Sequence, residues 1–198
     1  MLVDLLRHGE TEMPGRLLGR TDAPLAQAGW EQFARQTDGR QFDGIVASPR
    51  QRARLPAEAL ASARRLPIRI DEDWAELDFG DWDGRALAEL NADAHTAAAL
   101  QALYQSDACA GAPGGEDWRS LGTRVERAID RLFAFDADSR VLVSTHAGPM
   151  RTALAIACGL PFSNTWAFRI GLGTRITLRL GRDPDSGLWG EIMEVVQP

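Results

Sequence analysis

The chain has 198 residues, 44% of them hydrophobic and 25% charged, a balance that suits one globular domain with a substantial core and speaks against a disordered or fibrous class. Its 22 basic and 28 acidic residues leave a net charge of −6, which argues against a surface built to bind nucleic acid or an anionic membrane. An anionic substrate would need a local basic pocket instead. Cys109 and Cys158 lie far apart without metal-ligand spacing and read as reduced thiols of a cytoplasmic protein. Neither a signal peptide nor a membrane segment is expected, because Met1 to Asp4 has no basic region and no apolar run is long enough to cross a bilayer.

Leu2 to Leu6 reads as a short buried strand that ends at Arg7-His8-Gly9. Arg offers a bidentate fork for phosphate, the imidazole a nucleophile, and Gly9 a backbone that a ligand can approach. Taken alone, the tripeptide reads better as an ordinary surface turn. The loop from Glu12 to Pro24 carries Gly15, Arg16, Gly19, Arg20, Thr21 and Asp22, and is either a ligand loop or a solvated Ω-type loop. A helix is predicted from Leu25 to Thr37, with Gly29 as a close-packing point. Phe42 to Ala47 is the second predicted strand. Ser48-Pro49 then suits a helix start, with Ser as cap and Pro in the first turn. On that helix Arg50 and Arg54 share a face that Arg52 cannot share.

A third strand is predicted from Leu66 to Ile70. Trp74 to Gly84 mixes Glu76, Asp78, Asp81 and Asp83 with aromatics, as expected of a loop that turns one acid into a site and the rest to water. Arg85 to Tyr104 is Ala- and Leu-rich and reads as one helix, with His95 as a surface or lid residue. Ser106 to Gly115 is small and Gly-rich, a hinge or a disordered loop. Asp117 to Phe135 is strongly amphipathic, with Trp118, Leu121, Val125, Ile129 and Leu132 at helical spacing, and Arg119, Arg124, Arg127 and Arg131 forming a solvated face. Arg140 to Thr145 is the clearest strand and runs into His146-Ala147-Gly148. The following helix should stop at Gly159, before Pro161. Arg175 to Leu180 and Trp189 to Val196 close the chain as a strand pair around the turn from Asp183 to Gly187.

Strands alternating with helices predict an α/β fold, a three-layer α/β/α sandwich around a mostly parallel, mixed sheet, as a single domain over residues 1–198. Ligands of such sheets lie beyond the carboxyl ends of the strands. Arg7-His8, the segment from Ser48 to Arg52, and His146 all fall there.

At this point the chain resembles the histidine phosphatase, or phosphoglycerate mutase-like, superfamily almost from end to end. Arg7-His8-Gly9-Glu10-Thr11 is similar to the signature of the phosphorylated histidine, Ser48 to Ala53 to the Ser-x-Leu-x-Arg-Ala segment, Glu76 to Gly84 to the segment of the proton donor, and Thr145 to Gly148 to the second-histidine motif. Arg50 replaces the usual Leu, Pro14 the usual Asn, and Pro56 the usual Thr. Within the superfamily, Gly15 to Gly29 and Asp81 to Arg85 are most similar to α-ribazole phosphatases of cobalamin biosynthesis.

The resemblance implies a phosphomonoesterase without a cofactor or metal. His8 would be the nucleophile, Arg7, Arg52 and His146 would hold the phosphoryl group, and Glu76 would be the proton donor, in an aromatic and apolar setting. Gly9, Gly19, Thr21, Gly115, Glu116 and Ala147 are expected to meet the substrate, although Glu116 is equally a helix-start acid. The partner is a small phosphorylated molecule, met by a monomer or a homodimer alike. Other readings are a broad-specificity sugar- or nucleotide-phosphate phosphatase, a phosphoglycerate mutase, a silent phosphate-binding module, and a metal site built from His8, His95 and His146. Asp4, a carboxylate inside the first strand, has no role in any of them.

Overall fold

Apolar side chains alternate along the strands of the computed structural model, which describes residues 1–105, 111–185 and 187–198. Val3, Leu5, Val46, Val141 and Val143 belong to one buried cluster, and Leu6, Ile45, Ala47 and Leu142 to another. Because successive side chains of a strand point to opposite faces, this sorting requires cover on both sides of the sheet. The helices supply it. The strands are β1 (Leu2–Arg7), β2 (Gly44–Ala47), β3 (Ile68–Ile70), β4 (Arg140–Thr145), β5 (Arg175–Asp183) and β6 (Gly187–Val196), and their spatial order is β3-β2-β4-β1-β5-β6. The four strands on the β3 side pair in parallel, and β5 and β6 add antiparallel to β1. The sheet is therefore mixed and mostly parallel, within the predicted α/β/α layers.

Helices α1 (Gln27–Thr37) and α2 (Gln51–Arg64) cover one face through Phe33, Ala57 and Ala61. On the other face α5 (Trp118–Leu132) and α6 (Ala147–Cys158) contribute Leu121, Val125, Ile129, Met150 and Leu154. Each fully buried Leu or Ile contributes about 1.5–3 kcal/mol relative to exposure. The Asp117 carboxylate caps α5 by accepting the Ser120 N–H at 2.7 Å, and Gly159 ends α6 at φ 62°.

Several boundaries differ from expectation for local reasons. The Ala-rich stretch after Arg85 forms two helices, α3 (Leu87–Ala92) and α4 (Ala94–Gln105). Asp93 between them is extended and its carboxylate accepts the Thr96 N–H, so a capping acid breaks the run. Helix α2 starts at Gln51 rather than at Pro49, and Ser48 does not cap it in the expected way. Pro56 is accommodated inside α2 and buried. Of the expected Gly-rich hinge, residues 106–110, including Cys109, lie outside the described residues, as does residue 186 of the last turn.

The arginines of α5 are only in part a solvated face, since Arg119 and Arg127 are exposed but Arg124 is not. Arg124 is half-buried and donates to the carbonyls of Asp73, Ala75 and Glu76, while Arg127 and Arg131 pair with Asp71 and Asp73. The amphipathic pattern distinguishes apolar from polar positions, but the 71–76 segment packs along the polar side. Asp4 also gains a role. Its buried carboxylate accepts from Arg40 Nε at 2.8 Å and Thr177 Oγ1 at 2.6 Å, and Arg140 lies 3.3 Å away, so it ties β1 to β5 and to the segment before β2.

Candidate active site

The register of the sheet sets the site. Arg7 lies opposite Thr145 and Ala47 opposite Ser144. The pairing runs one residue further, since the His8 N–H donates to Thr145 O and the Ser48 N–H to Ser144 O, both at 2.9 Å. Three adjacent parallel strands thus release His8, Ser48 and His146 at one level, beyond their carboxyl ends. The rings of His8 and His146 stand 5.1 Å apart between centroids at an interplanar angle of 62°.

Both imidazoles are buried, and their protonation follows from their neighbours. His8 Nδ1 lies 2.8 Å from Gly9 O, which fixes the proton on Nδ1 and leaves the Nε2 lone pair free. Burial holds His8 well below the ordinary histidine value, and Arg7 and Arg52 push it further in the same direction. His146 is also held neutral, by burial and then by Arg52, His8 and Arg7. Its Nε2 lies 2.7 Å from Ser48 Oγ, which already accepts the Arg50 N–H at 3.3 Å. Among the described residues the buried Ser48 hydroxyl has no other acceptor for its proton, so that proton goes to Nε2 and the proton of His146 sits on Nδ1. That group has no partner.

Two guanidiniums complete the centre. Arg52 is fully buried in the first turn of α2, donates to the carbonyls of Leu18, Gly19 and Thr21, and is pulled down to about 10 by burial. Arg50 and Arg54 leave that face, and Arg54 pairs with Glu58. Arg7 donates to Ile170 O at 2.7 Å, and burial lowers it too. The Nε–H of Arg7, the Nε–H of Arg52 and the Nδ1–H of His146 are all buried without a hydrogen-bond partner. Arg50, Arg69 and Arg175 also carry a buried Nε–H without a partner, so it is the position of these three donors, in the cluster at the strand ends with His8, that marks a place for acceptor oxygens.

Glu76 approaches from the segment after β3, which Thr145 Oγ1 ties to the sheet through Trp74 O at 2.7 Å. Its Oε1 accepts the Leu77 N–H at 2.9 Å and the Gly148 N–H at 3.0 Å, and among the described residues no hydrogen bond reaches Oε2. The setting is thus less apolar than expected on one oxygen and open on the other. The remaining acids of the segment do not simply face water. Asp83 accepts the backbone N–H groups of Gly19 and Thr21 and the Thr21 hydroxyl, and Asp78 pairs with Arg20. These contacts, with Leu17 buried among them, make the 12–24 loop a structured wall rather than a solvated Ω-loop.

A cavity of about 690 Å³ opens from this centre, with Arg7, His8, Glu76 and Ala147 on its wall. The other expected contact residues are placed differently. A Cβ on Gly9 would lie 2.5 Å from Gly29 O, so glycine is required there for the crossing with α1 rather than for ligand approach. Gly19 and Thr21 hold Arg52 and Asp83. Gly115 packs under Asp78 O, where a Cβ would come within 2.4 Å. Glu116 is turned into a pair with Arg124 at 2.8 Å and accepts the Asp78 N–H, which favours bracing over ribose contact. His95 is exposed on α4 and does not line the cavity.

Sequence reasoning passed over Ser48 as a partner of His146, and Tyr104, Arg151 and Trp166 on the cavity wall. A signal for Arg151 was present. It lies four residues after Ala147 on the helix that starts at His146, and so shares its face.

Uncharged, buried imidazoles between two guanidiniums at the carboxyl edge of a parallel sheet define an enzyme of phosphoryl chemistry. Comparison with known proteins makes the class specific. The histidine phosphatase superfamily, branch 1, matches residues 3–186. An adenosylcobalamin/α-ribazole phosphatase of Escherichia coli strain K12 is 33% identical over 175 residues, 85% of each chain. Among solved structures, the α-ribazole phosphatase from Shigella flexneri superposes with a TM-score of 0.80 at 28% identity, covering 97% of this chain and 94% of that one. A mycobacterial glucosyl-3-phosphoglycerate phosphatase reaches 0.84 at 27% identity, with 96% of both chains covered. The chain belongs to the histidine phosphatase superfamily, and it is a phosphatase.

Proposed function

We propose that residues 1–198 act as one phosphomonoesterase domain that works through a phosphohistidine on His8, with α-ribazole 5′-phosphate as substrate. The observation that carries the mechanism is the set of three orphaned N–H donors, Arg7 Nε, Arg52 Nε and His146 Nδ1, around the free lone pair of His8. Three equatorial phosphoryl oxygens supply the acceptors that the protein lacks, and positioning with charge stabilisation is most of what phosphoryl transfer requires. His8 Nε2 attacks phosphorus in line, and the bond to the ester oxygen breaks. Glu76, held by two backbone N–H groups on Oε1, delivers a proton from Oε2 to the leaving alcohol. It then takes a proton from the water that cleaves the N–P bond and restores His8. The substrate is supported by the Escherichia coli and Shigella relatives. A cytoplasmic location goes with this reading.

Incubation with substrate followed by alkaline quench should trap a base-stable, acid-labile phosphoenzyme, absent in His8→Ala. Comparison of kcat/KM for α-ribazole 5′-phosphate with sugar phosphates and nucleotides should rank it first. Comparable values across the panel would establish a broad-specificity phosphatase instead.

A further inference from the structure

Glu76 lines the cavity, so the leaving alcohol that it protonates must lie within the same space. That space is walled by Tyr104 of α4, Trp118 of α5, Arg151 of α6 and Trp166, which lies in a single 3₁₀ segment (Phe162–Ala167). Four separate parts of the chain place these groups together. The rings form an edge-to-face set, with centroids of Tyr104 and Trp166 5.2 Å apart and those of Trp118 and Trp166 6.2 Å apart, both at 79°. The Trp118 indole donates to Leu103 O at 2.7 Å, which fixes its ring.

Arg151 is almost fully buried, and its contacts all concern Trp166. Its guanidinium carbon lies 4.0 Å from the centroid of the indole ring, and its Nη1 donates to Thr165 O at 2.5 Å and Phe168 O at 3.2 Å, on either side of Trp166. Through Nη1 it holds the backbone on either side of the indole in place. The Trp166 Nε1–H, by contrast, is buried without a partner. A rigid aromatic wall with one unpaired donor suits a flat group that carries an acceptor.

We propose that Tyr104, Trp118 and Trp166, with Arg151 positioning Trp166, form the leaving-group subsite, selecting phosphate esters whose alcohol carries a planar aromatic group with a hydrogen-bond acceptor. The inference rests on the phosphohistidine reading above and adds the chemistry of its substrate. The ring stacks or packs edge-on against the indoles, and its acceptor takes the Trp166 Nε1–H.

The test measures kcat/KM for four phosphates: α-ribazole 5′-phosphate, which has a ring and an acceptor; 2-naphthylmethyl phosphate, which has a ring only; ribose 5-phosphate, which has neither; and 3-phosphoglycerate, which is anionic. Wild-type protein should prefer both ring-bearing esters over the other two by about tenfold or more. Trp166→Ala should remove that preference, mainly through KM, the loss on each ring-bearing ester exceeding the loss on ribose 5-phosphate by about tenfold. Trp166→Phe, which keeps a ring and so guards against misfolding, should lower kcat/KM for α-ribazole 5′-phosphate about fivefold and spare the naphthyl ester. Preference for 3-phosphoglycerate, or an equal loss on all four substrates in Trp166→Ala, would overturn the subsite while leaving the phosphohistidine reading intact. Failure to hydrolyse any of the four, or full activity in His8→Ala, would instead remove the reading on which it rests.

Discussion

Gly148 leaves room for the Glu76 carboxylate: a Cβ at position 148 would lie 2.3 Å from Glu76 Oε1, the oxygen to which the Gly148 N–H donates at 3.0 Å. The side chain that position 148 lacks is what allows the acid to dock on the first turn of α6. Gly148→Ala should therefore displace Glu76 and lower kcat for an alkyl phosphate by about 100-fold, the lower range for loss of a general acid. Phosphorylation of His8 by 4-nitrophenyl phosphate, whose leaving group needs no proton, should fall much less in a single-turnover measurement.

Ser48 fixes the tautomer of His146. Ser48→Ala removes the donor to Nε2, and the proton is then free to occupy either nitrogen. A loss of about 10- to 100-fold in kcat is expected, equivalent to about 1–3 kcal/mol for a buried group left unpaired. The ¹⁵N shifts of the His146 ring should change from one tautomer to a mixture, and Ser48→Thr should restore both the shifts and the rate.

The two buried imidazoles make stability depend on pH in a defined direction. Both are held below the ordinary value in the folded chain, so below about pH 6.5 the unfolded chain binds protons that the folded one does not. Stability is full above that value and falls as pH drops, by about 1.4 kcal/mol per pH unit for each histidine. Urea unfolding between pH 7.5 and 5 should show this slope, and His8→Asn and His146→Asn should each reduce it. For the same reason the acid limb of kcat/KM should not fall at the usual histidine value but well below it, wherever His8 sets it.

Glu116 supports Arg124, and Arg124 holds the carbonyls of the Glu76 segment. Glu116→Gln should lower stability by about 1–3 kcal/mol and reduce kcat, with KM for α-ribazole 5′-phosphate nearly unchanged. A selective rise in KM at unchanged kcat would show that Glu116 meets the substrate directly.

Asp4 is buried among Arg40, Arg140 and Arg175. Asp4→Ala leaves these cations without their common partner, and a loss of about 3–5 kcal/mol is expected in denaturant unfolding. Because the cluster joins β1, β5 and the segment before β2 rather than lining the cavity, the protein that remains folded should keep its KM.

Strand–helix alternation was legible because burial on two sheet faces demands apolar runs of fixed period, and because the chain punctuates them. Arg140–Thr145 and the stop at Gly159 fall as the pattern predicts. Arg7, His8 and His146 were legible as strand-end residues, since in a parallel sheet the strand ends converge whatever the intervening chain does. The same local logic misplaced Ser48, whose hydroxyl competes between a helix cap and a buried imidazole, and the tertiary partner won. It also read the Arg face of α5 as solvated, because periodicity reports which side is polar and not what packs against that side.

What the sequence determined alone was the architecture and the bond to be broken: the pattern of burial sets the sheet, and the sheet brings His8 and His146 together. Tertiary structure alone decided the state and the surroundings of those groups. The tautomers depend on Gly9 O and Ser48 Oγ, the docking of Glu76 on the missing Cβ of Gly148, and the aromatic wall on side chains from three separate segments. Such contacts act over a few ångströms between residues up to about a hundred positions apart, as Ser48 and His146 are, and no local pattern in the chain encodes them.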